Sequence, residues 1–200
     1  MTPKLTRRGL MAASIAAGMT LGASAGLAQD KLKLRLSSVN SVTDQRAIAL
    51  IEKFGPAIAD FATFEPYWGG SLFKQGTELV ALQRDNLELG NVAPQDISKQ
   101  LPAWSVLTSA YTFRDANHVL AFFAGDLGAQ MKSQAEDQLK IKILGPTFFG
   151  TRQVGLKPKK KIATPADLAG IKLRMPPGDA WQLLGRSLGA NPTPMAYAET

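Results

Sequence analysis

From Lys31 to Leu36 apolar and basic residues alternate, with Leu32, Leu34 and Leu36 on one side and Lys31, Lys33 and Arg35 on the other. A period of two predicts a strand with one covered face. Ser37, Ser38, Asn40 and Ser41 then make a polar turn, and Ser41 to Asp44 reads as a capping box with Ser41 as the cap. Ala47, Ile48, Leu50, Ile51 and Phe54 recur at helical spacing until Gly55-Pro56 bends that helix. A second strand is predicted over residues 61–68, ended by Gly69-Gly70-Ser71, then a helix over 77–82 and a third strand over 87–92.

Beyond Pro102 the pattern lengthens. Residues 117–139 read as one helix that packs through Val119, Leu120, Phe122, Phe123, Leu127 and Met131. Short strands are expected over 141–144 and 147–156. Thr164-Pro165-Ala166-Asp167 opens a short helical turn with Thr164 as cap. A strand over 171–175 ends at Pro176-Pro177-Gly178, and a helix over 180–188 stops at Gly189. Strands alternating with helices predict an α/β fold with a largely parallel sheet. Ligands of such sheets sit at the carboxyl ends of the strands, so the loops at 37–41 and 93–95 are candidate walls of a site.

The first 29 residues follow a different rule. Lys4, Arg7 and Arg8 precede an apolar stretch of small residues from Leu10 to Ala28, with small-x-small cleavage sites at Ala23-Ser24-Ala25 and Gly26-Leu27-Ala28. This is the pattern of a cleaved export signal, and Arg7-Arg8 resembles a twin-arginine signal with Leu10 at the usual phenylalanine position. The expectation is a periplasmic protein, soluble once the signal is removed.

Charge changes little in this picture. Of the formal net charge of +7, those three early cations account for three, which leaves +4 on the rest of the chain. The cluster of Lys157, Lys159, Lys160 and Lys161 lacks the interleaved aromatic and arginine side chains of a polyanion-binding face, so it reads as a solvated turn and no nucleic-acid partner is expected. With no cysteine, thiol catalysis, disulfides and cysteine-ligated zinc are excluded. The single histidine, His118, sits at a helix start. The chain has no nucleophile elbow, phosphate-binding glycine loop, paired-histidine zinc motif or dinucleotide fingerprint. No catalytic residue, metal site or cofactor is therefore expected, and binding is left as the function class.

Two stretches carry a resemblance. One is Gly150-Thr151-Arg152-Gln153. The other runs from Thr164-Pro165-Ala166-Asp167-Leu168-Ala169-Gly170-Ile171-Lys172-Leu173-Arg174-Met175-Pro176 to Gly189-Ala190-Asn191-Pro192-Thr193-Pro194-Met195-Ala196-Tyr197. Together they resemble the solute-binding proteins of tripartite ATP-independent periplasmic (TRAP) transporters, of the dicarboxylate-binding type. The likeness extends over about residues 31–200.

The resemblance implies a two-lobed, type II-like periplasmic-binding-protein clamp of class α/β. Its first lobe would occupy 30–148 and its second would begin at 149–200, truncated before completion, as in an N-terminal fragment. It implies capture of a small organic carboxylate, a C4-dicarboxylate or a 2-oxo acid, and its delivery to TRAP membrane permease subunits. A ligand-sensing protein, or a hydrolase of small acids, are the alternatives. In that family the arginine at the Arg174 position binds the substrate carboxylate, the Arg152 position supplies a second basic contact in part of the family, and the aromatic at the Tyr197 position packs against the ligand. Asn40, in the first strand–helix loop, is a candidate polar contact. Some sialic-acid-binding relatives carry asparagine where this chain has Pro177, which argues for an acid simpler than a sugar acid.

The proposed chemistry agrees with these roles. A carboxylate loses strongly bound water on entering a site, and a guanidinium replaces that water with two parallel N–H donors that lysine cannot match.

Overall fold

The alternation at Lys31–Leu36 becomes β1 (Leu32–Ser37) in the computed structural model, which describes residues 31–157 and 159–200. The export signal expected at 1–29 lies outside the described residues. Leu36 and Ser37 are buried, and the cations of the opposite face meet acids. Lys33 pairs with Glu65 at 2.8 Å, and the Arg35 fork grips both carboxylate oxygens of Glu88 at 2.7 and 2.9 Å.

β1 is the middle strand of an all-parallel sheet ordered β2-β1-β3, with β2 at Ala62–Tyr67 and β3 at Leu89–Gly90. The third strand, expected over 87–92, is only two residues long. Asn91 N–H still donates to Ser37 O at 3.2 Å, but the chain then turns into a helix led by Pro94, which offers no N–H to a ladder.

Asp44, not Ser41, caps the first helix. Its side chain accepts from the Arg46 N–H, while Ser41 Oγ closes a local turn by accepting from the Thr43 N–H. That helix, α1 (Gln45–Ala49), widens into a π turn over Leu50–Phe54 before α2 (Gly55–Ile58). Gly55 N–H bonds to Leu50 O, five residues back, so the turn widens just ahead of Pro56, whose ring cannot follow a regular α-helical turn.

Next come α3 (Glu78–Gln83), α4 (Pro94–Ile97) and a 3-10 turn over Pro102–Thr108. The single helix expected over 117–139 is two: α5 (Ala116–Ala124) and α6 (Asp126–Leu139). Gly125 has extended backbone and ends one while starting the other. Three residues on, a Cβ on Gly128 would lie 2.3 Å from Phe122 O, so only glycine lets α6 fold back this closely on α5. The principal core forms here: Leu79, Ile97, Leu101, Trp104, Phe123, Met131, Ala135, Leu139 and Ile141. His118 lies at the start of α5, where its backbone N–H donates to the capping Asp115 carboxylate.

The strands expected over 141–144 and 147–156 are absent. No described segment runs alongside to supply a ladder, and Leu144, Phe148, Phe149 and Val154 are exposed. The hydrophobic pattern prepares a strand, but a strand forms only against a partner.

The last part of the chain matches its expectation more closely. Asp167 Oδ2 accepts from the Thr164 N–H at 2.8 Å and opens a 3-10 turn over Pro165–Leu168. β4 (Lys172–Met175), α7 (Asp179–Ser187) and β5 (Asn191–Pro194) form a parallel β–α–β unit, with Arg174 opposite Thr193. Among the described residues no helix is long and apolar enough to cross a membrane.

Candidate functional site

The segments that follow the carboxyl ends of both sheets line one cleft. Val39 and Asn40 follow β1, Asn91 and Ala93 follow β3, Pro176 follows β4, and Tyr197 lies past β5. All four residues singled out from sequence, Asn40, Arg152, Arg174 and Tyr197, are brought together there.

Arg174 sits in β4 and is half-buried, with its Nε donating to Met195 O at 3.0 Å. That bond fixes the plane of the guanidinium and leaves its terminal nitrogens available. Burial lowers its pKa from the ordinary arginine value, and the Tyr197 phenol acts the other way. Arg152 lies in an irregular segment, where its guanidinium carbon stacks 4.4 Å from the Trp181 ring centroid. The residue as a whole is exposed, and the charged end over the buried Trp181 is its packed part. Burial of that end lowers its pKa, and the neighbouring Arg174 and Arg46 charges lower it further. Among the described residues neither Arg152 nor Arg174 has an ion-pair partner. Two cations that repel each other beside a cavity are an unbalanced arrangement that an anion would balance.

The third guanidinium is already engaged. Arg46 holds Asp44 in a two-pronged pair at 2.6 and 2.8 Å and lies 3.8 Å from the Phe149 ring centroid. Phe149 in turn meets Tyr197 edge-on, with centroids 6.1 Å apart. This stack of Arg46, Phe149 and Tyr197 joins the first helix to the end of the chain. Tyr197 is anchored through its backbone N–H, which donates to Gln75 Oε1 at 2.7 Å.

The remaining wall is built from amides and acids. Asn40 is buried, and its Nδ2 donates to Asn91 Oδ1 at 3.3 Å. Gln95, Asp96 and Glu78 are also buried, and all three line the cleft. Asp96 pairs with Lys99 at 2.8 Å, whereas the Glu78 carboxylate is held by backbone N–H groups, that of Gly76 on Oε2 at 2.7 Å among them. Arg46, Gln75, Glu78, Asn91 and Asp96 were not singled out from sequence. Only Gln95, in the loop at 93–95 beyond the expected third strand, gave any signal. No group of His, Cys, Asp or Glu that could hold a metal ion occurs among the described residues.

Residues 59–200 match the family described as bacterial extracellular solute-binding protein, family 7. A TRAP periplasmic solute-binding protein from Roseobacter denitrificans, solved with bound 3-deoxy-D-manno-oct-2-ulosonic acid, is 43% identical. It superposes with a TM-score of 0.81 over 85% of this chain and 57% of its own. Another solute-binding protein of Roseobacter denitrificans and the C4-dicarboxylate-binding periplasmic protein of Vibrio cholerae are each 26% identical, over 96% of this chain and 58% of their own length. The chain thus spans little more than half of the relatives it matches. Its parallel sheets, with a cleft at their carboxyl ends, are part of the two-lobed α/β architecture of those proteins. The chain belongs to the bacterial extracellular solute-binding proteins of family 7.

Proposed function

We propose that this chain is part of the extracytoplasmic solute-binding component of a TRAP transporter. It captures a small organic acid in the periplasm and delivers it to membrane permease subunits, without chemical turnover. Residues 30–148 form the first lobe, and the second begins at 149.

The observation that carries this reading is the pair of guanidiniums, Arg152 and Arg174, that share a cleft without carboxylate partners among the described residues. In the proposed complex the ligand carboxylate lies on Arg174, held by two parallel N–H donors, with Arg152 as the second cation. Tyr197 packs on the ligand, and Asn40 offers an amide to its polar groups.

Of the two ligand classes that the sequence suggests, the 2-oxo acids are favoured. An ulosonic acid is a 2-oxo acid, and the relative solved with one is 43% identical. The C4-dicarboxylates are the second reading, favoured by the name of the Vibrio cholerae relative. Pro177 does not line the cleft and so does not argue against a sugar acid.

The test is a thermal-shift screen of small 2-oxo acids, sugar acids and dicarboxylates on the full-length protein, followed by titration calorimetry. An acid that stabilises the wild type should lose affinity by roughly 30-fold or more in Arg174→Ala. A binding acid whose affinity survives Arg174→Ala would remove Arg174 from the site.

A further inference from the structure

The short segment from Met195 to Tyr197 is pinned at both ends. Met195 N–H donates to Met175 O at 3.1 Å, and Met195 O accepts the Arg174 Nε bond at 3.0 Å. The start of the segment therefore moves with β4 and with the guanidinium. Two residues on, the Tyr197 N–H donates to Gln75 Oε1 at 2.7 Å. Gln75 lies in the loop after β2, so this bond crosses the cleft from the two-stranded sheet to the three-stranded one. The chain between has little slack. Ala196 N–H donates to Glu199 Oε2 at 3.1 Å and Thr200 Oγ1 donates to Tyr197 O at 2.7 Å, which locks the 3-10 turn over Tyr197–Glu199.

The far anchor is just as fixed. Gln75 sits in a tight turn closed by the Thr77 N–H and the Thr77 hydroxyl, both on Lys74 O, at 3.0 and 2.7 Å. The next residue, Gly76, has a φ of +84°, and a Cβ there would lie 3.0 Å from Asp96 Oδ1. Glycine thus lets this turn settle against the Asp96–Lys99 pair, and the Gln75 side chain reaches across the cleft from a rigid base.

We propose that Gln75 is a positioning residue for the Arg174 fork: by holding the Tyr197 N–H across the cleft it fixes the Met195–Tyr197 segment, so that narrowing the cleft and aiming the guanidinium are one event. This rests on the reading of the cleft as an acid-binding site. The physical argument is differential. With the two sheets apart, water takes the Tyr197 N–H and the bond to Gln75 contributes nothing; with the sheets together, it does. A two-pronged bond to a carboxylate needs the guanidinium plane aligned, and here that plane is set by Met195 O, two residues from the tether. A shift of the tether is therefore felt at the fork.

The experiment is titration calorimetry on the full-length protein, with 3-deoxy-D-manno-oct-2-ulosonic acid and succinate as probes, one from each ligand class. Gln75→Leu keeps the approximate volume and removes the acceptor, and it should weaken a probe that binds by about threefold to tenfold. In an Arg174→Lys background, which has neither the Nε donor to Met195 nor the fork, the same change should cost less than about twofold. A general loss of packing would cost the same in both backgrounds. A second measurement needs no variant that must fold: hydrogen exchange at the Tyr197 amide of wild type, followed by NMR, should slow when the probe is bound.

An equal cost in both backgrounds, no cost in either, or a Tyr197 amide that exchanges as fast with the probe as without it overturns the role of Gln75 and leaves the acid site standing. A probe whose affinity survives in Arg174→Ala, or no binding of either probe, overturns the acid site itself and the role of Gln75 with it.

Discussion

The Arg152 guanidinium carbon lies over the Trp181 ring, 4.4 Å from its centroid, and no carboxylate among the described residues pairs with it. A stacked guanidinium is held by its face, so its N–H groups remain in the plane where a ligand oxygen can approach. Trp181 is buried in α7, the helix that links the two strands of the second sheet. The stack therefore couples a residue of an irregular segment to a rigid element.

Arg152→Lys keeps the charge but loses both the planar stack and the fork. It should weaken binding of the cognate acid by about tenfold, while the melting temperature of the ligand-free protein changes little. Calorimetry and thermal unfolding on the same preparation separate the two effects. Equal affinity in the lysine variant would mean that Arg152 acts only as a distant charge.

Much of this arrangement is legible in the sequence, because the relevant signals are local. The alternation from Leu32 to Leu36 places β1, and the box from Thr164 to Asp167 sets the turn ahead of β4. The rule that parallel sheets gather loops at their carboxyl ends marks the loop of Asn40, the family resemblance marks Arg174 and Tyr197, and all three line one cleft. What the sequence hides depends on contacts distant along the chain. Gln75 looks like an ordinary polar residue ahead of a helix until Tyr197, 122 residues away, docks against it. Arg46 looks like a surface cation until Phe149 stacks on it. The residues at 147–156 have strand composition and no partner, and no local pattern reports a missing neighbour.

Two buried or half-buried glutamates should titrate with opposite sign. The Arg35 fork holds Glu88 below the ordinary glutamate pKa, so its contribution to stability is present above about pH 4.3 and lost as the pH falls through the folded-state value. The melting temperatures of wild type and Glu88→Gln should therefore converge as the pH is lowered from about 6 to about 3. Burial, opposed by hydrogen bonds from backbone N–H groups and aided by the nearby Asp96 charge, holds Glu78 above the ordinary value. The folded state then binds more protons than the unfolded one over the interval above about pH 4.3, and stability falls as the pH rises through it. Glu78→Gln removes that titration, so the ligand-free variant should gain on wild type between about pH 4 and pH 7. A variant that instead loses ground as the pH rises would show that Glu78 is stabilised as the anion.

Two glycines allow the core and the site to be perturbed separately. A Cβ on Gly185 would lie 2.7 Å from the Pro192 Cβ, so α7 approaches β5 more closely than alanine permits. β5 pairs with the strand that carries Arg174, and Met195, just beyond it, accepts the Arg174 Nε bond. Gly185→Ala should push β5 away, cost about 1–3 kcal/mol of stability and weaken ligand binding as Arg174 loses its brace. Gly128→Ala meets a worse clash, 2.3 Å from Phe122 O, but in the α5–α6 crossing rather than at the cleft. It should destabilise at least as much while the folded fraction binds with wild-type affinity. Denaturant titration gives the stability of each variant, and calorimetry at low temperature gives the affinity of the folded molecules. If Gly185→Ala destabilises without loss of affinity, the bond to Met195 does not position Arg174 for the ligand.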